Sequence, residues 1–328
     1  MKNKMSGHQY QTRGILLAGI KRGWGSFIWI AQIIIPVSFL VTLLQWTGWL
    51  TSLDFLLDPL MRLLNLPPEA ALPIISGMVI NLYAGIAVMH AIPFTTGQMT
   101  LIAVFSLIAH NLIAEGIIQH RSGLNVIKTT LIRITAATIV LLIVGRFFSD
   151  TSQSIAIPGS LTVQAPILEV LKSWAISTGG LMIRILGIVM TIMILLEFSA
   201  TLKWTDYAHR VFRPLMRIMR LSDRTATLWL TSAVFGLMYG GAVIIDEAKK
   251  GNLTREELER LHISIGINHS MVEDPALFLV LGLNPFWLWV PKLIMAIAAV
   301  QAYRVIRFLS YRLSPVAKNT EKEGISSS

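Results

Sequence analysis

The stretch Pro59-Leu60-Met61-Arg62 occurs a second time as Pro214-Leu215-Met216-Arg217, and the residues that follow each copy also repeat. Tyr83-Ala84-Gly85 is matched by Tyr239-Gly240-Gly241. Each copy then contains an adjacent His and Asn with a Glu a few residues later, and the separation between matched positions drifts only from 155 to 158 residues. The chain is therefore predicted to contain two copies of one structural unit, an arrangement that is common in membrane transporters.

The composition of the 328 residues is typical of an integral membrane protein. Hydrophobic residues make up 54% of the chain and charged residues only 14%, whereas a soluble domain carries about a quarter charged residues. The formal net charge of +10 is interpreted as Lys and Arg retained on the cytoplasmic side, and not as a nucleic-acid surface. The absence of cysteine excludes disulfides, thiolate metal sites and cysteine nucleophiles.

Eight apolar segments are candidates for the membrane, and two shorter stretches between them are amphipathic. The amphipathic stretches, Leu53–Leu66 and Tyr207–Leu221, are predicted to lie in the interface plane of the bilayer. The chain is therefore expected to be an all-α polytopic membrane protein. The apolar segments are Ser26–Leu50, Leu72–Ile92, Met99–Ile118, Val126–Phe148, Gly179–Leu202, Thr225–Ile245, Leu261–Gly282 and Phe286–Val305.

The distribution of Lys and Arg indicates that not all eight segments cross the membrane. If all crossed, the basic connector Lys203–Arg224 would lie outside, opposite the basic N-terminus, against the positive-inside tendency. If Leu72–Ile92 and Thr225–Ile245 enter the membrane and return, all but six of the 28 Lys and Arg fall inside. Glycines within both segments also favour broken helices, although glycine is frequent wherever helices cross closely.

This topology predicts two inverted-topology repeats, because an odd number of spans per half turns the second copy upside down. Each repeat is expected to have about three spanning helices, a broken or re-entrant helix pair and an interfacial amphipathic helix. Both termini are expected in the cytoplasm, with the protein in a bacterial inner membrane. The predicted divisions are a cytoplasmic N-terminal segment (1–25), a first repeat (26–148), a linker (149–178), a second repeat (179–308) and a cytoplasmic tail (309–328).

Two carboxylates, Glu115 and Glu273, lie within apolar segments. A charged group at that depth costs at least about 2.5 kcal/mol, so each needs a partner, a proton or a cavity. Asn111 precedes Glu115 by four residues and His269 precedes Glu273 by four, so each pair shares a helix face. Inverted symmetry would bring both sets together near the midplane. The residues predicted to bind solute or a coupling ion are His110, Asn111, Glu115, Asn268, His269 and Glu273.

These imidazole, amide and carboxylate groups suit three roles. They can ligate a divalent cation, relay protons, or hydrogen-bond a nucleobase and a ribose. His269 and Glu273 would be the ligands of any metal, and Asp274 belongs to the same polar set. The alternative is that these groups only form hydrogen bonds between helices of the bundle.

The breaks in the two re-entrant segments supply the remaining candidates. Asn81, Tyr83 and Tyr239 are predicted to contact the substrate, because freed backbone groups at such breaks bind substrates in transporters. The alternative for each tyrosine is a packed, hydrogen-bonded ring of the core. The predicted gate or hinge residues are Gly77, Gly85, Gly236, Gly240 and Gly241.

Other polar residues beside the apolar segments are given structural roles. Arg133 and Lys292 are expected to extend, or snorkel, toward the membrane surface. His262 is expected at the inner membrane edge and not as a ligand. The spacing from Thr254 to Glu257 predicts a capping box that opens the following helix.

No phosphate-binding loop, dinucleotide fingerprint, zinc-protease motif or serine-hydrolase elbow occurs in the sequence. The chain is therefore predicted not to be an enzyme and to use no cofactor. Any drive for transport is expected to come from an ion or proton gradient or from a partner.

Each half resembles the nucleoside-recognition Gate domain of bacterial spore maturation protein A/B-like membrane proteins. Related Gate regions occur in ferrous iron transporter B and in concentrative nucleoside transporters. The resemblance is carried by residues 59–62 with the break at 77–85, and by residues 214–217 with the break at 236–241. The family name implies nucleoside binding, and the absence of cysteine weighs against iron transport. The resemblance covers about Gly19–Ile118 and Gly179–Gly282.

The predicted function is a membrane permease for a small polar solute, nucleoside-like first, with a midplane site shared between two Gate repeats. The alternatives are a divalent cation transporter and a non-transporting membrane assembly or signalling protein. The expected partners are the lipid bilayer and the solute, without nucleic acid. A homo-oligomer or a partner membrane subunit is left open.

Overall fold

The protein is described by a computed structural model, in which most of the described residues are helical and none lies in a β-strand. A short 3-10 turn, Pro68–Ala70, leads directly into the helix that begins at Ala71. The described residues are 2–49, 54–149, 151, 166–201 and 205–313. The helices are α1 (Lys2–Trp46), α2 (Asp54–Leu63), α3 (Ala71–Val79), α4 (Leu82–Ala91), α5 (Thr96–Ala109), α6 (Leu112–Arg121), α7 (Val126–Gly145), α8 (Ile167–Thr201), α9 (Thr205–Ile218), α10 (Asp223–Phe235), α11 (Leu237–Lys249), α12 (Arg255–Asn268), α13 (Glu273–Leu279) and α14 (Pro285–Leu313).

Among the described residues, five helical segments are long and apolar enough to cross a membrane. One of them consists of α5 and α6, joined across a short interruption. The all-helical membrane architecture predicted from composition is therefore confirmed. The five segments are Thr12–Trp46, Thr96–Arg121, Val126–Gly145, Ile167–Ser199 and Pro285–Ser310.

The two copies of Pro-Leu-Met-Arg lie in equivalent helices, α2 and α9, which overlap the predicted amphipathic stretches. α2 is followed by Asn65 at φ 56°, and α9 by Arg220 at φ 49°. The leucine directly after each left-handed residue donates its N–H to the carbonyl of the methionine in the motif, at 3.0 Å in both copies. This bond closes a helix end whose carbonyls lack intrahelical partners, and the repeat in sequence is thus a repeat in backbone structure.

Equivalent capping boxes open α5 and α12. Thr95 accepts from the backbone N–H of Gln98, whose side chain accepts from the N–H of Thr95. Thr254 and Glu257 make the same exchange, as predicted. Two otherwise orphaned N–H groups are satisfied at each helix start, and the two boxes are 159 positions apart.

Two short helical hairpins, α3–α4 and α10–α11, occupy equivalent places in the two halves. α3 and α4 contain nine and ten residues, and α10 and α11 contain 13 each. At about 1.5 Å per residue, none of them reaches the thickness of a hydrocarbon core of about 30 Å. Each hairpin therefore leaves irregular backbone inside the bundle, where protein groups must satisfy it.

The long helices pack in a reciprocal pattern. α1 lies against its equivalent α8, while α5 packs on α7 and α12 packs on α14. Helices of opposite halves are also in contact, since α5 contacts α14 and α12 contacts α7. The interrupted helices of the two halves consequently meet in the middle of the bundle.

Candidate functional site

Two helices are interrupted at equivalent places, and the interruptions carry His110 and His269. His110 is extended (φ −86°, ψ 166°) and is followed by Asn111 in the left-handed region at φ 52°. His269 is likewise extended (φ −68°, ψ 165°) and is followed by Ser270 at φ 47°. Left-handed non-glycine residues cost on the order of 1–3 kcal/mol and concentrate at functional sites. The same strained backbone at both breaks therefore marks them as candidates for the site.

The two imidazoles and two carboxylates meet in one buried cluster. Nε2 of His110 lies 3.2 Å from Nε2 of His269. Each ring also faces a carboxylate of the other half. Nε2 of His110 is 3.3 Å from Oδ2 of Asp274, and Nε2 of His269 is 3.2 Å from Oε1 of Glu115. All four side chains are buried, so their charges and lone pairs must be satisfied within the protein.

Two cations hold the interrupted backbone in place. Arg133 in α7 donates to the carbonyls of Ile108 and His110 at 3.0 and 2.8 Å. Lys292 in α14 donates to the carbonyl of His269 at 2.8 Å. Both side chains are only 3% exposed, so the expectation that they snorkel is wrong. The physical reason is that each break leaves carbonyls without helical partners, and a buried donor must supply one.

Arg133 also neutralises the carboxylate beside it. Its two terminal nitrogens lie 2.6 Å from Oε2 and 3.2 Å from Oε1 of Glu115. The contact to Oε1 is a hydrogen bond, whereas the contact to Oε2 is an ion pair only, because Oε2 has no hydrogen-bond partner among the described residues. Arg133 therefore links the carboxylate of the cluster to the backbone of the break.

The cluster repeats at a constant separation and in a reciprocal manner. Each histidine faces the acidic residue of the other half, which is the pattern of contacts that a two-fold axis produces. Each half thus contributes one histidine, one acidic residue and one cation to the cluster. The equivalent residues, each pair 159 positions apart, are His110 and His269, Glu115 and Asp274, and Arg133 and Lys292.

The structure shifts the alignment of the two halves by one residue, from the 158 positions read from the sequence to 159. The order His-Asn in the first half becomes Asn-His in the second, and this reversal led Asn111 to be matched with His269. The left-handed residue is Asn111 in one half and Ser270 in the other, so these two correspond. Asp274, and not Glu273, then occupies the position that faces a histidine.

Glu273 belongs to a different contact. Its Oε1 accepts a hydrogen bond from the hydroxyl of Tyr83 at 2.9 Å, which ties the first hairpin to α13. Asn81 caps α4, its Oδ1 accepting from the N–H of Ala84 at 3.0 Å. Three predicted binding residues are therefore close to the first hairpin and outside the histidine cluster.

The repeat within the hairpins also differs from the predicted matching. α4 begins after Asn81 and α11 after Gly236, which are 155 positions apart. Tyr83 therefore corresponds to Met238, and Tyr239 is one residue further along. The side chain of Tyr239 lies outside the described part of the structure.

Two further residues near the breaks are buried and polar. Asn268 has 0% exposure, and neither atom of its amide has a hydrogen-bond partner among the described residues. His262, two turns earlier in α12, is 1% exposed, and its ring nitrogens likewise lack partners there. The side chain of His262 packs inside the bundle, as does nearly every residue of α12 beyond its first turn.

The hairpins hold the breaks through backbone hydrogen bonds. The N–H of Asn111 donates to the carbonyl of Gly77 at 2.9 Å, and the N–H of Ser270 donates to the carbonyl of Ser232 at 3.2 Å. Gly236, at φ 82°, separates α10 from α11. These bonds couple the position of each hairpin to the backbone of the equivalent break.

The predicted hinge glycines permit close approach between helices. A Cβ atom on Gly85 would lie 2.9 Å from the carbonyl oxygen of Pro73, in the facing arm of its hairpin. A Cβ on Gly240 would lie 2.8 Å from Cα of Ser232, and one on Gly241 would lie 2.8 Å from the side chain of Ile118. Gly77 is different, since its nearest neighbour, Oγ of Ser106, would be 3.6 Å away.

We expect Gly85→Ala to destabilise the protein by about 1–3 kcal/mol, because backbone atoms must move to admit the methyl group. Gly77→Ala is the matched control in the same hairpin, where the methyl group finds ordinary contact distances. It should be neutral or slightly stabilising, since alanine favours helix over glycine. Thermal unfolding of both variants in detergent measures the difference. Equal losses for the two variants would contradict the close approach at Gly85.

A polar pocket of about 320 Å³ lies between α1, α4 and the start of α8. Trp174 donates from Nε1 to Oγ of Ser38 at 3.1 Å, and Ser177 contacts Nε2 of His90 at 2.9 Å. Glu169 also lines the pocket. These residues come from three distant segments and form no local motif, so the sequence alone gives no signal for them.

The first repeat matches a known protein family. Residues 27–157 match the Gate family model, described as nucleoside recognition. The resemblance of the first half to Gate-domain membrane proteins is thereby confirmed, with a matched range that extends through α7. The Gate segment contains His110, Glu115 and Arg133, which is the whole contribution of the first half to the cluster.

A relative is known in Bacillus subtilis (strain 168). The chain is 28% identical over 276 residues to YvoD, an uncharacterized membrane protein. The similarity covers 83% of this chain and 88% of YvoD, so it extends over both halves. No solved structure matches the chain.

Proposed function

We propose that the chain is a permease for a small polar solute of the nucleoside class, with one site shared by two inverted Gate repeats near the middle of the membrane. The observation that carries the proposal is the reciprocal cluster of His110, His269, Glu115 and Asp274. Buried ionisable groups in a membrane bundle are costly and mark solute, ion or proton pathways. Interrupted helices surround the sites of many transporters in the same way.

The inverted arrangement is supported by the helix lengths. In the first half, α1, the pair α5–α6 and α7 are long enough to cross the membrane, whereas α3 and α4 are too short. The equivalent elements of the second half are α8, α12–α13 and α14, of which α8 and α14 contain segments that are long and apolar enough to cross. Three crossings per half would start the second repeat on the opposite side, so the two-fold axis would lie in the membrane plane.

The charge pattern supports an orientation with both termini in the cytoplasm. With re-entrant hairpins, the basic connectors fall on the same side as the basic N-terminus. Six of the 28 Lys and Arg do not fall on that side, and Arg133 and Lys292 are two of them. Both are buried beside the cluster, so the positive-inside tendency, which concerns loops, does not apply to them. The cytoplasmic membrane of a bacterium is the proposed location.

The nucleoside class is supported by the family description and by the polar pocket. A volume of about 320 Å³ falls at the lower end of the range for small-molecule sites. The ring of Trp174 offers a stacking surface for a base, while Glu169 and the hydroxyl of Ser38 suit ribose hydroxyls. The pocket lies at the C-terminal end of α1, which faces outward in the proposed orientation, and would admit the solute from there.

The hairpins are the proposed gates. Moving α3–α4 breaks the bond between Asn111 and Gly77, while moving α10–α11 breaks the bond between Ser270 and Ser232. Because the hairpins belong to opposite repeats, these movements would open the cluster to opposite sides. In this scheme the chain is not an enzyme, and its partners are the lipid bilayer and the solute.

Uptake by proteoliposomes tests the proposal. The purified full chain is reconstituted and supplied with radiolabelled uridine, adenosine and inosine. We expect saturable accumulation of at least one nucleoside above that of protein-free liposomes. Glu115→Gln should lower the initial rate by at least about tenfold, because the carboxylate is the ion-pair partner of Arg133 and lies 3.2 Å from Nε2 of His269.

The matched control is Lys172→Gln, which removes an exposed charge at the start of α8. It should transport at the rate of the unmodified chain. Absence of uptake by a monodisperse, fully incorporated protein would overturn the nucleoside assignment. Such a result would favour a non-transporting assembly or signalling protein, in which the polar clusters only hold helices together.

A further inference from the structure

The hydrogen positions on both histidines follow from their backbone contacts. Nδ1 of His110 lies 2.8 Å from the carbonyl oxygen of Ser106, and Nδ1 of His269 lies 2.9 Å from that of Ile265. A carbonyl oxygen only accepts, so each Nδ1 must carry the hydrogen. In the neutral rings, both Nε2 atoms then carry a lone pair and no hydrogen, and they face each other at 3.2 Å.

A third acceptor joins these two lone pairs. Oδ2 of Asp274 has no hydrogen-bond donor among the described residues, yet it lies 3.3 and 3.9 Å from Nε2 of His110 and His269. Oε1 of Glu115 approaches the same two nitrogens at 4.0 and 3.2 Å. Converging lone pairs in a buried site repel one another unless a cation lies between them.

Three of the five separations in the cluster match those between the ligands of a small metal ion, and the other two, 3.9 and 4.0 Å, are longer. Ligand atoms about 2.0–2.1 Å from a tetrahedral zinc ion lie about 3.3 Å from one another. The shortest separations in the cluster are 3.2, 3.2 and 3.3 Å. Adjacent ligands of an octahedral ion at similar bond lengths would be closer, at about 2.9 Å.

We propose that His110 Nε2, His269 Nε2, Asp274 Oδ2 and Glu115 Oε1 bind one divalent transition-metal ion of the zinc type. Two imidazoles and two carboxylates suit Zn²⁺ and its neighbours better than Mg²⁺ or Ca²⁺, which take oxygen ligands. Both rings donate their other N–H to a backbone carbonyl, the usual outer contact of a metal-bound histidine. This inference goes beyond the permease function and does not depend on it.

The charges around the site indicate an exchangeable ion. Arg133 and Lys292 offset the charges of Glu115 and Asp274, so the protein groups together carry little net charge. Arg133 also occupies one lone pair of Oε1 of Glu115. The ion is therefore expected to bind more weakly than in a structural zinc site, in which thiolates supply the opposing charge.

Direct metal loading tests the site. The full chain, purified in detergent with its affinity tag removed, is stripped with chelator and dialysed against Zn²⁺ or Co²⁺. We expect one Zn²⁺ per chain by elemental analysis. With Co²⁺ we expect the intense visible absorption of a tetrahedral ion. Loss of both signals in the unmodified chain would overturn the proposal, and a proton shared between the rings would give that result.

Paired variants locate the ion. His269→Gln and Asp274→Asn should weaken Zn²⁺ binding by at least about tenfold. The controls are His262→Gln, a buried histidine two turns earlier, and Glu273→Gln, the neighbouring carboxylate bonded to Tyr83. Both controls should bind Zn²⁺ as the unmodified chain does. Equal binding by all four variants, each monodisperse on gel filtration, would overturn the assignment.

Discussion

Arg133→Met is expected to lower the free energy of unfolding by about 3–5 kcal/mol, because removal of one partner leaves a buried charge uncompensated. Arg133 is the ion-pair partner of Glu115 and the donor to the carbonyls of Ile108 and His110. Methionine has a similar length and fills the space, so the loss of unfolding free energy reflects the missing charge and hydrogen bonds more than altered packing. Urea unfolding in mixed micelles, followed by tryptophan fluorescence, measures it.

A double variant separates the ion pair from the backbone contacts. Adding Glu115→Gln to Arg133→Met removes the uncompensated carboxylate, so the double variant should lose less than the sum of the two single losses. The difference should fall in the range of about 0.5–3 kcal/mol for interacting residues. The carbonyls of Ile108 and His110 still lack their donor, so recovery should be partial.

The control for Arg133 is Arg146→Met, on the exposed end of the same helix region. A surface substitution of this kind should stay within about 0.5 kcal/mol of the unmodified chain. If Arg133→Met were equally mild, the guanidinium would not be the counter-charge of Glu115. The snorkelling position predicted from the sequence would then describe Arg133 better.

Much of the fold could be predicted because its signals are local. The apolar segments follow from composition, and the Thr254 capping box follows from two side chains three residues apart. The His110 and His269 regions stood out because polar groups are rare in apolar segments. The two halves carry such groups at similar positions, so the repeat itself pointed to their meeting.

The exact pairing could not be predicted, because it depends on backbone conformation. His-Asn and Asn-His can be aligned in two ways, and only the left-handed residue after each histidine decides between them. The roles of Arg133 and Lys292 were missed for a related reason. A lone cation in an apolar helix usually extends to water. The residues next to it in the sequence do not indicate that it contacts an interrupted helix elsewhere in the chain.

Asp274→Asn is expected to lower the initial rate of solute uptake by about 10–100-fold, the equivalent of losing one interaction with a charged group. Asp274 faces His110 at 3.3 Å from the other half of the protein. Glu273→Gln changes the adjacent residue in the same way, yet it should lower the rate by less than about threefold. Its amide oxygen can still accept the hydrogen of Tyr83.

The comparison decides between the two registers, since the variants differ by one position and by the same chemical change. Uptake is measured in proteoliposomes containing equal amounts of monodisperse protein, so that a folding defect is not counted as lost transport. A greater loss in Glu273→Gln would return Glu273 to the site and favour the pairing of His269 with Asn111. A greater loss in Asp274→Asn supports the reciprocal cluster, because only that residue completes the exchange of carboxylates between the halves.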